Sequence, residues 1–273
     1  PPRSTLFPYT TLFRSGSGNA LAAAESGQAT PPAWRIAPEV SHYRYKEPGV
    51  MKNEGTLYGI VGSYTFYNAR QDAAESDPAS WSTIRLDGRL SGGEVDYDGS
   101  FMDGTPLSTS GSDDFLFDVR VLFGRHWGPA RFCDAAYAGL GYRHLRDDSS
   151  QQIGGYRRES NYLYVPLGVQ KGFDLTTRWN LALAGEFDVL LIGRQISHLS
   201  DADPFLPTVR NWQWPGFGGG LSLDLLHKGE RLNVGFGPFV RYWWIAESDV
   251  SDDGYYEPEN NTLEYGLSFV LQF

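Results

Sequence analysis

The sequence predicts an all-β chain, a transmembrane antiparallel up-and-down β-barrel of about ten strands, with eight or twelve also compatible. Three observations lead there. The final residues, TLEYGLSFVLQF, alternate: Leu263, Tyr265, Leu267, Phe269, Leu271 and Phe273 are apolar, while Thr262, Glu264, Gly266, Ser268 and Gln272 between them are small or polar, Val270 being the exception. A strand turns successive side chains to opposite faces, so this segment has one greasy face and one wet face. Second, the pattern recurs along the chain, usually with charges on the wet face, as expected of a sheet whose apolar side meets lipid and whose polar side lines an interior. Third, mean hydropathy is only −0.38 and no apolar run is long enough for a membrane helix, whereas a barrel strand needs only about 9–11 alternating residues.

Composition narrows the function. The 273 residues fit one large β-domain. Aromatic residues reach 15%, and the net charge of −10 argues against nucleic-acid binding by bulk attraction. The single Cys133 excludes an intrachain disulfide and a cysteine-cluster metal site. No cofactor or metal is expected.

The N-terminal residues read as processing rather than fold. Residues 5–15, TLFPYTTLFRS, look like a translated sequencing adaptor, so 1–15 are set aside as an artefact. Residues 16–36 read as the remnant of a secretory signal, with small-x-small sites at Ala20-Leu21-Ala22 and Ala22-Ala23-Ala24, followed by a periplasmic lead-in. The barrel is expected over 37–273.

The strands follow in order. Strand one is expected near 39–46, with Tyr43 and Tyr45 opposite His42, Arg44 and Lys46. Strand two, near 56–67, places Tyr58, Ile60, Tyr64 and Phe66 on one face. Strand three, near 82–91, sets Ile84, Leu86 and Leu90 against Arg85, Asp87 and Arg89. Strand four, near 114–125, sets Phe115, Phe117, Val119, Val121 and Phe123 against Asp118 and Arg120. Strand five, near 133–145, opposes Leu140 and Tyr142 to Gly139, Gly141 and Arg143. Strand six, near 160–170, opposes Leu163, Val165, Leu167 and Val169 to Tyr162, Tyr164 and Gln170. Strand seven, near 179–194, sets Leu181, Leu183, Phe187, Val189 and Leu191 against Glu186, Asp188 and Arg194. Strand eight, near 213–226, opposes Leu221, Leu223 and Leu225 to Ser222 and Asp224. Strand nine, near 231–245, sets Val234, Phe236, Val240, Tyr242 and Trp244 against Asn233 and Arg241. The C-terminal run is strand ten. Short connections at 125–131, 170–178 and 226–231 alternate with long polar ones expected at 92–113, 146–160, 195–212 and 246–261, the asymmetry of periplasmic turns and outer loops. In the first half, 47–55 is expected as a short outer loop and 68–80 as a long periplasmic turn.

A charge at the lipid midplane costs roughly 2–4 kcal/mol for Arg or Lys, so single-phase charges must point inward. Arg85, Asp87, Arg89, Asp118, Arg120, Arg143, Glu186, Asp188, Arg241 and Glu264 are therefore expected to share one interior as an ion-paired network. A narrow charged pore is the alternative.

The alternation, the terminal Phe273, and segments such as YRYKEPGVMKNEGTLYGIVGSYTFYN (43–68) and YAGLGYRHL (137–145) resemble bacterial outer-membrane β-barrel proteins of the porin-like and OmpA/OmpX-like group. The resemblance spans 37–273. It implies an outer-membrane location among lipid and lipopolysaccharide. It also implies a monomeric barrel assembled by the insertion machinery through a C-terminal aromatic signal, here Tyr265, Phe269 and Phe273. It implies no activity, because fold does not fix function. The leading expectation is a structural or surface-interaction role, the second a narrow passive channel, and the third an outer-membrane hydrolase.

Other constellations read as structural. His198-Leu199-Ser200 resembles the His-x-Ser arrangement of outer-membrane lipid A deacylases, with Asp188, Asp201 or Asp203 as possible orienting carboxylates. Yet ISHLSDADP reads more simply as the start of a loop, and no enzyme is predicted. The acidic residues Glu94, Asp96, Asp98, Asp103, Asp113, Asp114, Asp249, Asp252, Asp253, Glu257 and Glu259 are expected as solvated outer-loop charge, their spacing matching no EF-hand. Trp34, Trp81, Trp127, Trp179, Trp212, Trp214, Trp243 and Trp244 are expected at strand ends as interfacial girdles. Glycines 216–220 make room in a tight interior or bend the strand.

Overall fold

The computed structural model describes residues 34–68, 81–100, 104–127, 132–251 and 254–273. The artefact, signal and most of the lead-in fall outside these residues, as do the turn 69–80 and Asp103, Asp252 and Asp253.

Eleven strands run β1 (Trp34–Glu47), β2 (Met51–Asn68), β3 (Trp81–Ser100), β4 (Pro106–His126), β5 (Ala135–Asp148), β6 (Arg157–Asp174), β7 (Trp179–His198), β8 (Thr208–Gln213), β9 (Gly216–His227), β10 (Asn233–Ile245) and β11 (Asn260–Gln272). All pairings are antiparallel and join strands adjacent in sequence, except that β7 also pairs with β9 and that β1 pairs with β11 from Arg35↔Gln272 to Lys46↔Asn261. Trp34 N–H donates to the Phe273 carbonyl at 2.8 Å and Phe273 N–H to the Trp34 carbonyl at 3.0 Å, so the termini zip the ring shut. β7 pairs with β9 over 179–189 and with β8 over 193–198, so β8 and β9 occupy one position in the wall. The barrel thus has ten strand positions. Closure leaves no edge to desolvate in hydrocarbon.

Trp34 and Phe273 and the short turns 175–178 and 228–232 lie at one end, the one expected to face the periplasm, and the connections 149–156, 199–207 and 246–259 lie at the other. The expected outer loop 47–55 is much tighter. β1 and β2 join through Pro48–Val50, with Val50 N–H bonded to the Glu47 carbonyl at 3.0 Å and Gly49 at φ +80°. Proline then glycine at positive φ is the chemistry of a type II turn. Several strands outrun the bilayer: β3 has 20 residues and β4 has 21, about twice what a crossing needs. The exposed apolar residues of β3 and β4 lie toward the Trp34 and Phe273 end, so the surplus projects from the opposite end of the barrel.

The exposed row is apolar through the wall: Tyr58, Ile60 and Phe66 on β2, Ile84, Leu86 and Leu90 on β3, Val119, Val121 and Phe123 on β4, Leu183, Phe187 and Leu191 on β7, and Tyr265, Leu267 and Phe269 on β11. Two strands depart from the expected phase. On β1 it is Tyr43 and Tyr45 that are buried in the bore, while His42, Arg44 and Lys46 face outward. On β7 a bulge at Leu191, which exposes both Leu191 and Ile192, turns Arg194 outward although it shares parity with the inward Glu186 and Asp188. Arg194 lies over the exposed Trp212 ring at 5.6 Å. Trp243 is also no girdle residue: it is buried in the bore, where Gly218 leaves it room, since a Cβ there would come within 2.5 Å of the indole.

Candidate functional site

Among the described residues most buried charged side chains converge in the bore, which is built in two layers. At membrane level the inward phases of β1, β3, β4, β5, β7, β10 and β11 each contribute charge. All ten charges named from the sequence line one cavity of about 460 Å³, together with Glu39, Trp243 and Tyr164.

Eight of the ten interlock in two knots. In the first, Arg85 forks onto Asp87 (Nε–Oδ1 2.9 Å, Nη2–Oδ2 3.2 Å), Arg120 Nη2 donates to Asp87 Oδ2 at 2.8 Å, and Arg120 Nη1 donates to Glu186 Oε1 at 2.5 Å. Tyr137 Oη donates to Glu186 Oε2 at 2.7 Å. Asp118 stands 3.9 Å from Arg120 Nε and accepts from Tyr164 Oη at 2.9 Å. In the second knot, Arg89 bridges Glu39 (Nε–Oε1 2.5 Å) and Glu264. Arg241 donates to Glu39 Oε2 at 2.9 Å, and Ser41 Oγ donates to Glu264 Oε1 at 2.7 Å. These buried charges are multiply paired, which is what burial requires of them. Glu39 is the member of these two knots that sequence reasoning missed. Its signal was its parity with Ser41, masked by reading His42, Arg44 and Lys46 as the wet face of β1.

Above this level the bore changes character. Tyr43, Tyr45, Met51, Leu57, Val95, Leu116 and Leu145 form a buried apolar cluster inside it, on the β1–β5 side. Over that cluster sits Arg158, paired with Glu47, with Asp147 at 3.3 Å and with Glu257 at 3.8 Å, its guanidinium 5.2 Å from the Tyr45 ring centroid. Asn53 donates to Asp147 Oδ2 at 2.8 Å. The free volume here is about 10 Å³, less than one water needs to move through. Glu257, from the connection 246–259, is pushed up to about 8, first by burial and then by Glu47, with Arg158 opposing. Asp114 is buried with it. Two of the acids expected as solvated loop charge are thus interior, whereas Glu94, Asp96 and Asp98 are exposed on the projecting part of β3.

A sealed hydrogen-bonded ring, apolar outside and charged within, is stable only where hydrocarbon wets the outside. The chain folds as a transmembrane β-barrel. Comparison with protein-family models and with characterised protein sequences found no match. Among solved structures the barrel is similar to the outer membrane protease OmpT from Escherichia coli, at 11% identity over 89% of this chain and 98% of that one, TM-score 0.42. It is similar to the β-domain of the Bordetella autotransporter BrkA, at 12% identity over 88% and 100%, TM-score 0.39. It is also similar to Neisserial surface protein A, at 8% identity over 89% and 99%, TM-score 0.36. At such values none of these likenesses bears on activity, substrate or partner.

The His-x-Ser pair of this barrel has its own surroundings. His198 lies on the outward phase of β7 beyond the bulge, its Nε2 3.1 Å from Glu159 Oε1 and its ring 3.5 Å from Arg157 Nη2. Ser200 lies in the 3-10 turn Leu199–Asp201. Asp201 accepts from the Arg157 backbone N–H at 3.2 Å, and Asp188 is inside the bore, so the carboxylate against His198 is Glu159. No group of three or more His, Cys, Asp or Glu side chains among the described residues is placed to hold a metal ion. Tyr265, Phe269 and Phe273 form one exposed outward row on β11 and just past its end.

Proposed function

We propose that this barrel is a closed, non-conducting monomeric scaffold of the outer membrane. Its ion-paired bore braces the wall, and its projecting strands and acidic outer surface serve structural or surface-interaction roles. The single observation that carries the reading is the filled bore: the apolar cluster of Tyr43, Tyr45, Leu57, Val95, Leu116 and Leu145 on the β1–β5 side, with buried Asn53, Ser160, Gln195 and the Arg158 cluster beside it, leaves only about 10 Å³ free. Ions cannot cross so filled a bore without a large desolvation cost. Lipid and lipopolysaccharide are the surroundings in which this surface works, and the outward row of Tyr265, Phe269 and Phe273 is the signal that the assembly machinery reads. The test is planar-bilayer recording of the refolded protein. The expected trace has no steady open level up to 100 mV in size, on the order of the potentials membranes carry. A stable, ion-selective level would replace this reading with the narrow passive channel, which the cavity reaching mid-bore otherwise favours.

A further inference from the structure

Of the ten charges expected in the bore, two are left over. Arg143 and Asp188 are 4% and 5% exposed, and neither has an ion pair among the described residues. Arg143 Nη1 and Asp188 Oδ1 are buried without a hydrogen-bond partner. Both line the bore cavity, Arg143 from β5 and Asp188 from β7, with β6 between them. Arg143 lies over Trp243, 5.2 Å from its ring centroid, and Trp243 stacks on Tyr162, so the guanidinium is backed by an aromatic wall. An unpaired buried charge costs several kcal/mol, and leaving two of opposite sign in one cavity without contact is a state that a third group relieves.

The cavity also says what the third group is. Its wall carries seven Arg or Lys and eight Asp or Glu side chains, so it is close to electroneutral and favours no net-charged guest. A simple anion would satisfy Arg143 and face Asp188 unpaired, and a simple cation would do the reverse. Entry is from the periplasmic side, since the lining runs down to Arg35, Lys171 and Gln272, while the filled part of the bore closes the other end. We propose that the blind end of this cavity binds a small, net-neutral zwitterion. Its carboxylate sits on Arg143, its ammonium group on Asp188, and its short aliphatic spacer runs along the wall between them.

The experiment is calorimetric titration of the full folded barrel in detergent micelles. The probes are glycine, 3-aminopropanoate, 4-aminobutanoate and 5-aminopentanoate, with acetate and methylammonium as single-charge probes. One spacer length should bind about tenfold tighter than either single-charge probe. D188N and R143Q should each weaken it by about tenfold or more, R143K less than R143Q. The folded state of each variant is checked by its heat-dependent electrophoretic mobility. Should those variants fail to fold, the same zwitterion must change the tryptophan fluorescence of the native barrel and lose that change in W243F. The proposal is overturned if no zwitterion saturates below about 10 mM. It is equally overturned if acetate binds as well as the best zwitterion, or if folded D188N keeps full affinity, because water then suffices for the two groups.

Discussion

Replacing Arg158 with Gln tests the filled bore most directly. The guanidinium meets Glu47, Asp147 and Glu257, and all four side chains are at least nine-tenths buried. Glutamine keeps most of the volume and removes the charge. Deleting one partner of an exposed ion pair would cost about 0–1 kcal/mol. Here the Glu47 and Asp147 carboxylates lose their buried cation, with Glu257 beside them already holding its proton at neutral pH, so the cost is that of an orphaned buried charge, about 3–5 kcal/mol. The carboxylates can lower it by taking up protons, which the native variant then binds more tightly than its unfolded chain. Its deficit must therefore shrink as pH falls from neutral toward about 5. Reversible urea unfolding in lipid vesicles, followed by tryptophan fluorescence, gives the free energies, and bilayer recording of the same sample shows whether the bore has hydrated into a leak. A deficit below about 1 kcal/mol at neutral pH, or one that grows on acidification, would refute the argument.

Glu257 gives a pH signature of the native protein. Its carboxyl is raised from 4.5 to about 8, so between those values the folded state holds a proton that the unfolded chain has released. Stability therefore falls as pH rises through that window. E257Q should flatten this slope in urea unfolding across the window, and an unchanged slope would count against a buried Glu257. V121R places a cation in the exposed apolar row of β4. It should cost about 2–4 kcal/mol in vesicles if that row meets lipid, and under about 0.5 kcal/mol if it meets water. F273A leaves the bore untouched and should reduce the folded fraction recovered from outer membranes in cells while leaving detergent refolding yield unchanged. Equal losses in both settings would make Phe273 a structural residue rather than an assembly signal.

The parts of the fold legible in the sequence are those where lipid and bore act on the same residue pair. Along β3, Ile84, Leu86 and Leu90 meet hydrocarbon while Arg85, Asp87 and Arg89 meet the interior, so charge and grease separate cleanly by parity. The Pro48-Gly49 turn was missed: the expectation ran a loop over 47–55, where β2 already starts at Met51. Parity fails where the backbone adds a residue. The bulge at Leu191 is invisible in the string LLIGR, yet it decides that Arg194 faces out. Composition also misleads where a large aromatic has a glycine opposite it: Trp243 reads as a girdle residue, and only the tertiary neighbour Gly218 turns it into bore filling. Neither Arg143 nor Asp188 could be singled out as unpaired, because partnership depends on which strands face each other across the bore.

The deeper source of the β1 reversal is that one sheet is wetted by two solvents. At membrane level the outward residues are Val40, Ile60, Val121 and Leu140, and the inward ones are Glu39, Arg89, Asp118 and Arg143. A few residues further toward the outside the pattern inverts on the same strands. Arg44, Lys46, Lys52, Glu54, Asp113 and Arg146 turn outward, while Tyr43, Tyr45, Leu57, Leu116 and Leu145 turn in. Where water replaces lipid around the wall, the sheet obeys the ordinary rule for a soluble barrel and puts its core inside. The apolar cluster in the bore is thus the hydrophobic core of the projecting part, and the charged knots below it are the polar lining of the membrane part. A strand reader that assumes one solvent assigns half of β1 to the wrong face. One that allows the flip between Ser41 and Tyr43, between Asp118 and Leu116, and between Arg143 and Leu145 finds the outer boundary of the membrane from sequence alone.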